Sequence, residues 1–450
     1  MIAKRQCFWS RGKCSRAGER GFYLRHSIIR RSVAVMIAFG LGHAINYGLL
    51  WEANHLLDKG GFGLFYTAVL IINILFSPMM GVMLVLARQL AEAGARHGRP
   101  QILAMTWRLL AACARMLPIV LLCSAVLALA VSWLGLEAWP VALLIPMTVM
   151  ALVATEILRT SFQGMLLFGW QNAVWLVSNA AQFAFAIGAL RLVPGVWPGV
   201  AGIFLGALIT FTAFLPWFVR ATAGARLPSM AVTFALPLLR EWPTVMAYSL
   251  FILMNNIDIL IGYLLLPHSE LDIYAASSLL PKAITTVTFV IAQVMLPVIV
   301  DQKSSDQPYR RSIVKSIAMT VGLGTAAIAM LWAAIPWLQT TPLAIRGLDY
   351  EMMLTLAVSA VALGAIRTLI VLEIALQRYS IGLAQCGAIL VFALACVLAH
   401  PSALTIADIY TATTCGFLIV IGILSLALRP STLQIPRVPL RRDRLRELLH

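Results

Sequence analysis

Charged residues are scarce in this chain, and their scarcity excludes a soluble protein. Only 12% of the 450 residues are charged and 61% are apolar, whereas a soluble domain is about a quarter charged and about half apolar. Mean hydropathy is +0.89, and apolar residues extend nearly from end to end, which also excludes a soluble domain with one anchor. Because one crossing takes about 20 helical residues, the chain is long enough for about twelve spans.

The sequence also lacks the motifs on which many enzymes and metal sites are built. It has no nucleotide-binding loop and no cluster of metal ligands. The predicted outside loops are short, and the isolated acids Glu52 and Asp58 are better explained as solvated helix-end residues than as catalytic groups. Five of the seven cysteines lie in apolar runs, and Cys7 and Cys14 lack the spacing of a zinc pair. We therefore predict that the protein is not an enzyme and has no catalytic residue, cofactor or metal.

Twelve apolar runs, separated by charge, proline or glycine, predict the membrane spans. They cover residues 32–52, 62–87, 102–134, 140–163, 172–193, 197–219, 242–266, 273–300, 313–338, 350–377, 381–399 and 404–428. The first run is too long for the apolar core of a signal peptide, so we expect residues 1–31 to be a basic cytoplasmic tail.

The distribution of Lys and Arg predicts the orientation of these spans. Of the 34 basic residues, 27 fall in segments that would be cytoplasmic if both ends were inside, and only three fall in outside loops. Basic residues accumulate in cytoplasmic loops, so we predict that both termini are cytoplasmic. The net charge of +16 is then explained by the excess of basic residues in cytoplasmic segments, whose tails can also contact anionic membrane lipid. Because this explanation needs no nucleic acid, we predict no nucleic acid partner.

The spans divide into two groups of six around a central basic loop. An offset of 209 residues aligns Asn46 with Asn255, and residues 65–68 with 274–277. This predicts two six-helix bundles, at 32–219 and 242–428, joined by a cytoplasmic linker at 220–241 and followed by a basic tail at 429–450. A parallel repeat of this kind places a transport path between the bundles.

Three stretches resemble the MOP superfamily of multidrug, oligosaccharidyl-lipid and polysaccharide exporters, and within it the polysaccharide and O-antigen flippases. They are GFGLFY (61–66) with LAR (86–88), FQG (162–164), and NNID (255–258) with YAA (274–276) and LPVI (296–299). The chain departs from the pattern at 271–273, where the family often has glycine.

The resemblance implies a MATE-like all-α membrane fold and a flippase that translocates a polyprenyl-diphosphate-linked oligosaccharide for surface polysaccharide biosynthesis. It further implies alternating access of the two bundles in a bacterial cytoplasmic membrane, energy from an ion gradient, and polysaccharide synthase or polymerase proteins as partners.

Ionisable residues inside spans are costly, so each one suggests a function. We predict that Arg115, Lys282 and Arg367 face the diphosphate, because guanidinium and ammonium groups bind phosphate oxygens. The buried Asp258 is predicted either to pair with one of these cations or to carry a coupling proton. The alternative is that Arg115 and Lys282 are structural partners of buried acids or carbonyls.

Two polar patterns complete the predicted site. Asn46 and Asn255, on the paired first and seventh spans, are candidates for hydrogen bonds to sugar hydroxyls, or else they join helices to each other. Glu156 and Arg159 are three residues apart on one helix, and this spacing predicts a local ion pair.

Three other functions are compatible with the sequence. A MATE-type drug or cation antiporter would need an acidic cavity, whereas the deep charges here are mostly basic. A major facilitator transporter is suggested only by residues 94–99. A non-transporting membrane subunit of a polysaccharide synthase complex would gain nothing from buried cations.

Overall fold

The computed structural model describes residues 17–58, 60–97, 99–133, 139–165, 167–222, 242–304, 310–340, 345–376, 380–399 and 402–427. All regular structure in these ranges is helical. Most of the predicted linker 220–241, the whole of the predicted tail 429–450 and the first sixteen residues of the predicted tail 1–31 lie outside them. The remainder of the N-terminal segment belongs to the first helix, which begins at Ala17 and not at the start of the apolar run.

Thirteen helices are present in the described ranges. They are α1 (Ala17–Leu56), α2 (Gly61–His97), α3 (Arg99–Trp133), α4 (Trp139–Gly164), α5 (Phe168–Leu192), α6 (Val196–Thr222), α7 (Trp242–Met254), α8 (Ile257–Leu265), α9 (His268–Ser304), α10 (Arg310–Thr340), α11 (Tyr350–Leu376), α12 (Ser380–Ala399) and α13 (Ala403–Ala427).

Every predicted span coincides with helix, but not every helix is apolar enough over its described part to count as a membrane span. Eight helices are long and apolar enough to cross a membrane, and the bent pair α7 and α8 makes a ninth. In α12, residues 384–399 form a shorter apolar helix. The chain is therefore an all-α, multi-span membrane protein with eight or nine candidate spans among its described residues, and the full number of twelve stays a prediction.

The predicted seventh span is not one continuous helix. α7 ends at Met254, α8 begins at Ile257, and the two axes differ by 48°. Asn256 Nδ2 donates a hydrogen bond to the carbonyl of Ile252 (2.8 Å), and the Tyr410 hydroxyl donates to that of Met254 (2.8 Å). Asparagine side chains compete for backbone groups, and these bonds satisfy carbonyls that the break would leave exposed in a dry environment.

The helices pack into two bundles. In the first, α5 lies against α6 and α1, and α4 packs against α2, α3 and α6; in the second, α11 lies against α9, α10 and α13, and α12 packs on α7. The approach of α6 to α5 is close, because a Cβ at Gly206 would lie only 2.5 Å from Gln182 Cα. Small residues permit such contact between membrane helices, where dispersion replaces the hydrophobic effect.

The bundles meet mainly through α2, which contacts α7, α8 and α9, and through a smaller contact of α1 with α9. A Cβ at Gly81 of α2 would lie 2.8 Å from Val245 Cα in α7, and one at Gly63 would lie 2.8 Å from Leu271 Cγ in α9. Both glycines therefore allow α2 to approach the second bundle closely.

Candidate functional site

A cavity of ≈ 320 Å³, lined by both polar and apolar side chains, lies between the two bundles. Helices α1, α2, α4, α5 and α6 line it on one side, and α7, α9, α11 and the α7–α8 break line it on the other. Four of the five residues predicted to contact substrate lie on its surface: Asn46, Asn255, Lys282 and Arg367. Residues separated by up to 321 positions, from 46 to 367, are thus brought to one site.

Lys282 is held in a buried ion pair with Asp258. Its Nζ lies 3.1 Å from Asp258 Oδ1, and the Tyr274 hydroxyl donates to Asp258 Oδ2 at 3.2 Å. Asp258 is fully buried, whereas Lys282 borders the cavity with Nζ 5.9 Å from the ring centroid of Tyr66. The predicted pairing of Asp258 with a cation is confirmed, and its alternative role in carrying a proton stays a prediction.

Arg367 is positioned by aromatic residues of α7. Its Nη2 donates a hydrogen bond to the Tyr248 hydroxyl at 3.2 Å, and its guanidinium carbon lies 5.3 Å from the centroid of the Phe251 ring. A guanidinium over an aromatic face is electrostatically favoured and keeps its planar donors oriented.

The predicted local pair of Glu156 and Arg159 is confirmed, and it too borders the cavity. Arg159 Nε donates to Glu156 Oε2 at 2.7 Å, and the Nη2 of Arg159 contacts the other carboxylate oxygen. The Arg159 guanidinium carbon also lies 5.5 Å from the centroid of Trp175, whose ring stacks on Phe39 with centroids 4.8 Å apart. The cavity surface thus carries three cationic side chains and one carboxylate among the described residues.

Arg115 is not brought to this site. Its side chain is exposed on α3, and it is absent from the described lining of the cavity. Much of the second half of α3 is likewise exposed, so the depth of Arg115 in the span did not reveal which direction it faces. A substrate role for Arg115 stays a prediction that the geometry does not support.

The first bundle supplies a polar face that was not predicted. Gln182, Asn179, Ser178 and Trp175 of α5 all line the cavity, together with Asn73 of α2. Their spacing of one, three and four residues along α5 places them on one helical face. The helical spacing of these polar residues in an otherwise apolar run could have predicted this face from the sequence.

Contacts between the bundles close the end of the molecule that the charge distribution predicts to be outside. Asp272 Oδ1 accepts a hydrogen bond from Gly63 N at 2.6 Å, and Oδ2 accepts one from Gly60 N. Asn54 and Arg346 exchange two bonds: Arg346 N donates to Asn54 Oδ1 (2.8 Å), and Asn54 Nδ2 donates to Arg346 O (3.2 Å). We call these five residues the closed-end contact; Asp272 lies in the stretch that departs from the flippase pattern.

No group of three or more His, Cys, Asp or Glu side chains in the described ranges is arranged to hold a metal ion. The groups that the described cavity lining offers are cations, one carboxylate, amides, hydroxyls, aromatic rings and aliphatic side chains. Such groups bind and orient a ligand by charge and hydrogen bonding.

The fold and the cavity define an all-α, multi-span membrane protein with a polar site between two bundles. No family model matches the sequence, and no curated protein matches it. Solved structures do match. The lipid II flippase MurJ, in an inward closed conformation, has a TM-score of 0.64 at 12% identity, covering 89% of this chain and 88% of that chain.

Two further structures widen the comparison. The eukaryotic MATE transporter AtDTX14 has a TM-score of 0.55 at 14% identity, covering 91% of this chain and 97% of that chain. A MOP superfamily transporter from Pyrococcus furiosus, whose structure is described by the reverse polarity of its binding pocket, has a TM-score of 0.60 at 14% identity, covering 88% of this chain and 94% of that chain. The chain therefore shares the fold of these MATE, MurJ and MOP superfamily transporter structures.

Proposed function

We propose that this protein is a flippase that moves a polyprenyl-diphosphate-linked oligosaccharide across the bacterial cytoplasmic membrane by alternating access of its two bundles. The observation that carries the proposal is the charge of the cavity between the bundles. Arg159, Lys282 and Arg367 border it, against two carboxylates: Glu156 on the cavity surface and Asp258, which is buried behind Lys282. Electrostatic attraction is stronger beside low-dielectric protein than in bulk water, so this balance favours an anionic cargo.

The cationic groups differ in the described contacts that they make. The Glu156–Arg159 and Lys282–Asp258 pairs are each internally neutral. Arg367 contacts a phenol and an aromatic ring. Because a guanidinium donates in pairs to phosphate oxygens, we assign Arg367 the principal contact with the diphosphate and Lys282 an auxiliary one.

The same fold includes MATE transporters and the lipid II flippase MurJ. A MATE-type antiporter for cationic drugs would require a cavity of the opposite polarity, because like charges repel in a desolvated site. In the Pyrococcus furiosus transporter, the reverse polarity of the binding pocket suggests a different function within the same superfamily. The basic balance therefore favours the flippase, and the drug antiporter and the non-transporting synthase subunit become outcomes of the test.

The test is to measure in which leaflet of the membrane the lipid-linked oligosaccharide accumulates in cells that lack the protein. We expect a diphosphate-linked glycan to accumulate on the cytoplasmic side and surface polysaccharide to be lost. Wild-type protein should restore both, Arg367→Gln should restore less than about a tenth of the polysaccharide, and Arg108→Gln, which removes an exposed arginine of α3 away from the cavity, should restore it fully.

Each other outcome contradicts the proposal. Unchanged lipid-linked glycans with altered sensitivity to organic cations would identify a drug antiporter. No change in either would favour the synthase subunit. Full activity of Arg367→Gln at normal protein level would remove the cationic site from the mechanism.

A further inference from the structure

The first bundle presents uncharged amides to the cavity, opposite the cations of the second. Four of them, Asn46 of α1, Asn73 of α2, and Asn179 and Gln182 of α5, form what we call the amide wall. Gly42 and Gly48 of α1 pack against Trp175 and Phe183 of α5, so Asn46 lies level with Asn179 and Gln182. Asn46, Asn179 and Gln182 therefore lie together on one part of the cavity surface, and Asn73 borders the same cavity from α2.

The hydrogen bonds of the amide wall leave much of its capacity unused. Asn179 Nδ2 donates to the carbonyl of Trp175 at 2.7 Å, and Gln182 Nε2 donates to Ser178 Oγ at 2.8 Å. Both bonds stay on α5 and use donors, so the two amide oxygens remain for the cavity. Asn46, which is half-buried, and Asn73, which is exposed on the cavity surface, form no side-chain hydrogen bond with another described residue.

Across the cavity, the α7–α8 break adds another available acceptor. Asn255 Oδ1 is buried and accepts no hydrogen bond from any described residue. Its Nδ2 has only a long contact of 3.5 Å to Asn256 Oδ1. A buried amide oxygen without a donor costs free energy, so this position calls for a ligand that donates.

An unpaired amide within a membrane span is expensive unless something hydrogen-bonds to it. A carboxamide both donates and accepts, and a sugar hydroxyl does the same, whereas an acyl chain does neither. We propose that the amide wall, with Asn255, is a subsite for the sugar hydroxyls adjoining the diphosphate and determines which glycan is carried. This inference rests on the proposed function, since the cations must hold the diphosphate.

The two parts of the site adjoin each other. The Tyr47 hydroxyl of α1 is 3.3 Å from Thr286 Oγ1 of α9, and Lys282 lies over the ring of Tyr66 of α2. A headgroup held by Lys282 and Arg367 thus has its first sugars beside the amide wall. Sites that hydrogen-bond a substrate hydroxyl discriminate strongly against analogues that lack it, so this wall can supply selectivity that the cations cannot.

The experiment compares the binding of two lipids to the purified full-length protein in nanodiscs. One probe is a polyprenyl diphosphate, and the other is the same lipid carrying a short neutral oligosaccharide; a polyprenol without phosphate measures background. We expect the wild type to bind the sugar-bearing lipid more tightly than the bare diphosphate lipid. In the double variant Asn46→Leu/Gln182→Met, the ratio of these two affinities should fall about tenfold, equivalent to about 1.4 kcal/mol. Its affinity for the bare diphosphate lipid should equal that of the wild type. Arg367→Gln should weaken both diphosphates equally.

A matched control is Gln385→Met, which removes a fully buried amide of α12 that is not part of the described cavity lining; its preference should equal that of the wild type. Equal binding of both diphosphates by the wild type, or an unchanged preference in the double variant, overturns the subsite and leaves the proposed function standing. If the wild type binds neither diphosphate above the polyprenol, the proposed function itself fails. Should the double variant not fold, each single variant is expected to lose about threefold.

Discussion

Two ion pairs determine how much charge individual residues present to the cavity. Lys282–Asp258 lies within the second bundle and Glu156–Arg159 within the first. Removing one member of a buried pair leaves an uncompensated charge, whereas replacing both with neutral groups is often tolerated. Stability and substrate contact at Lys282 can therefore be separated experimentally.

Asp258→Asn and Lys282→Met should each lower stability, by about 3–5 kcal/mol according to the cost of breaking buried pairs. The double variant should recover most of this loss, because neither charge then lies buried alone. The measurement is the thermal unfolding midpoint in one detergent. If the loss of stability in the double variant equalled the sum of the losses in the two single variants, the two residues would not interact.

Depth in a span predicted four of the site residues because polar groups in lipid are costly and turn towards protein or a cavity. Asn46, Asn255, Lys282 and Arg367 all follow this rule. Arg115 does not, because the apolar residues of α3 surround the helix and give no sign of which face is covered. The sequence also could not predict which cation pairs with Asp258, because three cations lie at similar depth in the predicted spans.

At the scale of helices, the contact of α5 with α6 depends on the absence of side chains at the crossing. Gly206→Val should lower the free energy of unfolding by about 1–3 kcal/mol through overpacking, since its Cβ would meet the α5 backbone at Gln182. Gly188→Val, on an exposed part of α5 with no atom near the new Cβ, should change it little. Denaturation of both variants in the same detergent tests this, and equal effects would contradict it.

Apolar runs predicted the positions of the helices well, because twenty residues without charge have few other stable structures in lipid. Because hydropathy is averaged over a whole run, it did not reveal the α7–α8 break. Two asparagines hardly change the hydropathy of a 25-residue run, although their amides compete locally with the helical hydrogen bonds. The polar face of α5 was hidden for the same reason.

In the whole molecule, the closed-end contact holds the two bundles together beyond one end of the cavity. Asp272 bonds to backbone N–H groups at the start of α2, where the helix dipole also favours an anion. The alternating access that we propose would require these bonds to break. The sequence predicted two bundles and a path between them, but it did not predict which end of the path is closed. A conformation closed at one end and a conformation closed at the other would use the same helices.

Asp272→Ala should raise the population of molecules opened at this end, because it removes a cap of about 1 kcal/mol, a several-fold change in equilibrium. Spin labels at Leu192 and Leu264, exposed residues near that end on different bundles, should show more of the longer distance. Glu270→Gln is the control: Glu270 accepts its bond from Ala403 N within the second bundle, so its distances should match those of the wild type. No difference between the two variants would separate Asp272 from closure.

The neutrality of the two ion pairs has an electrical consequence. In the alternating access that we propose, each pair would move as a unit, so the transmembrane voltage would perform almost no net work on Lys282 with Asp258 or on Glu156 with Arg159. A voltage acts instead on charge that moves unaccompanied, at about 2.3 kcal/mol per elementary charge per 100 mV. For an anionic cargo leaving a cell whose interior is negative, that work is favourable, and the resting potential itself would contribute to the direction of transport.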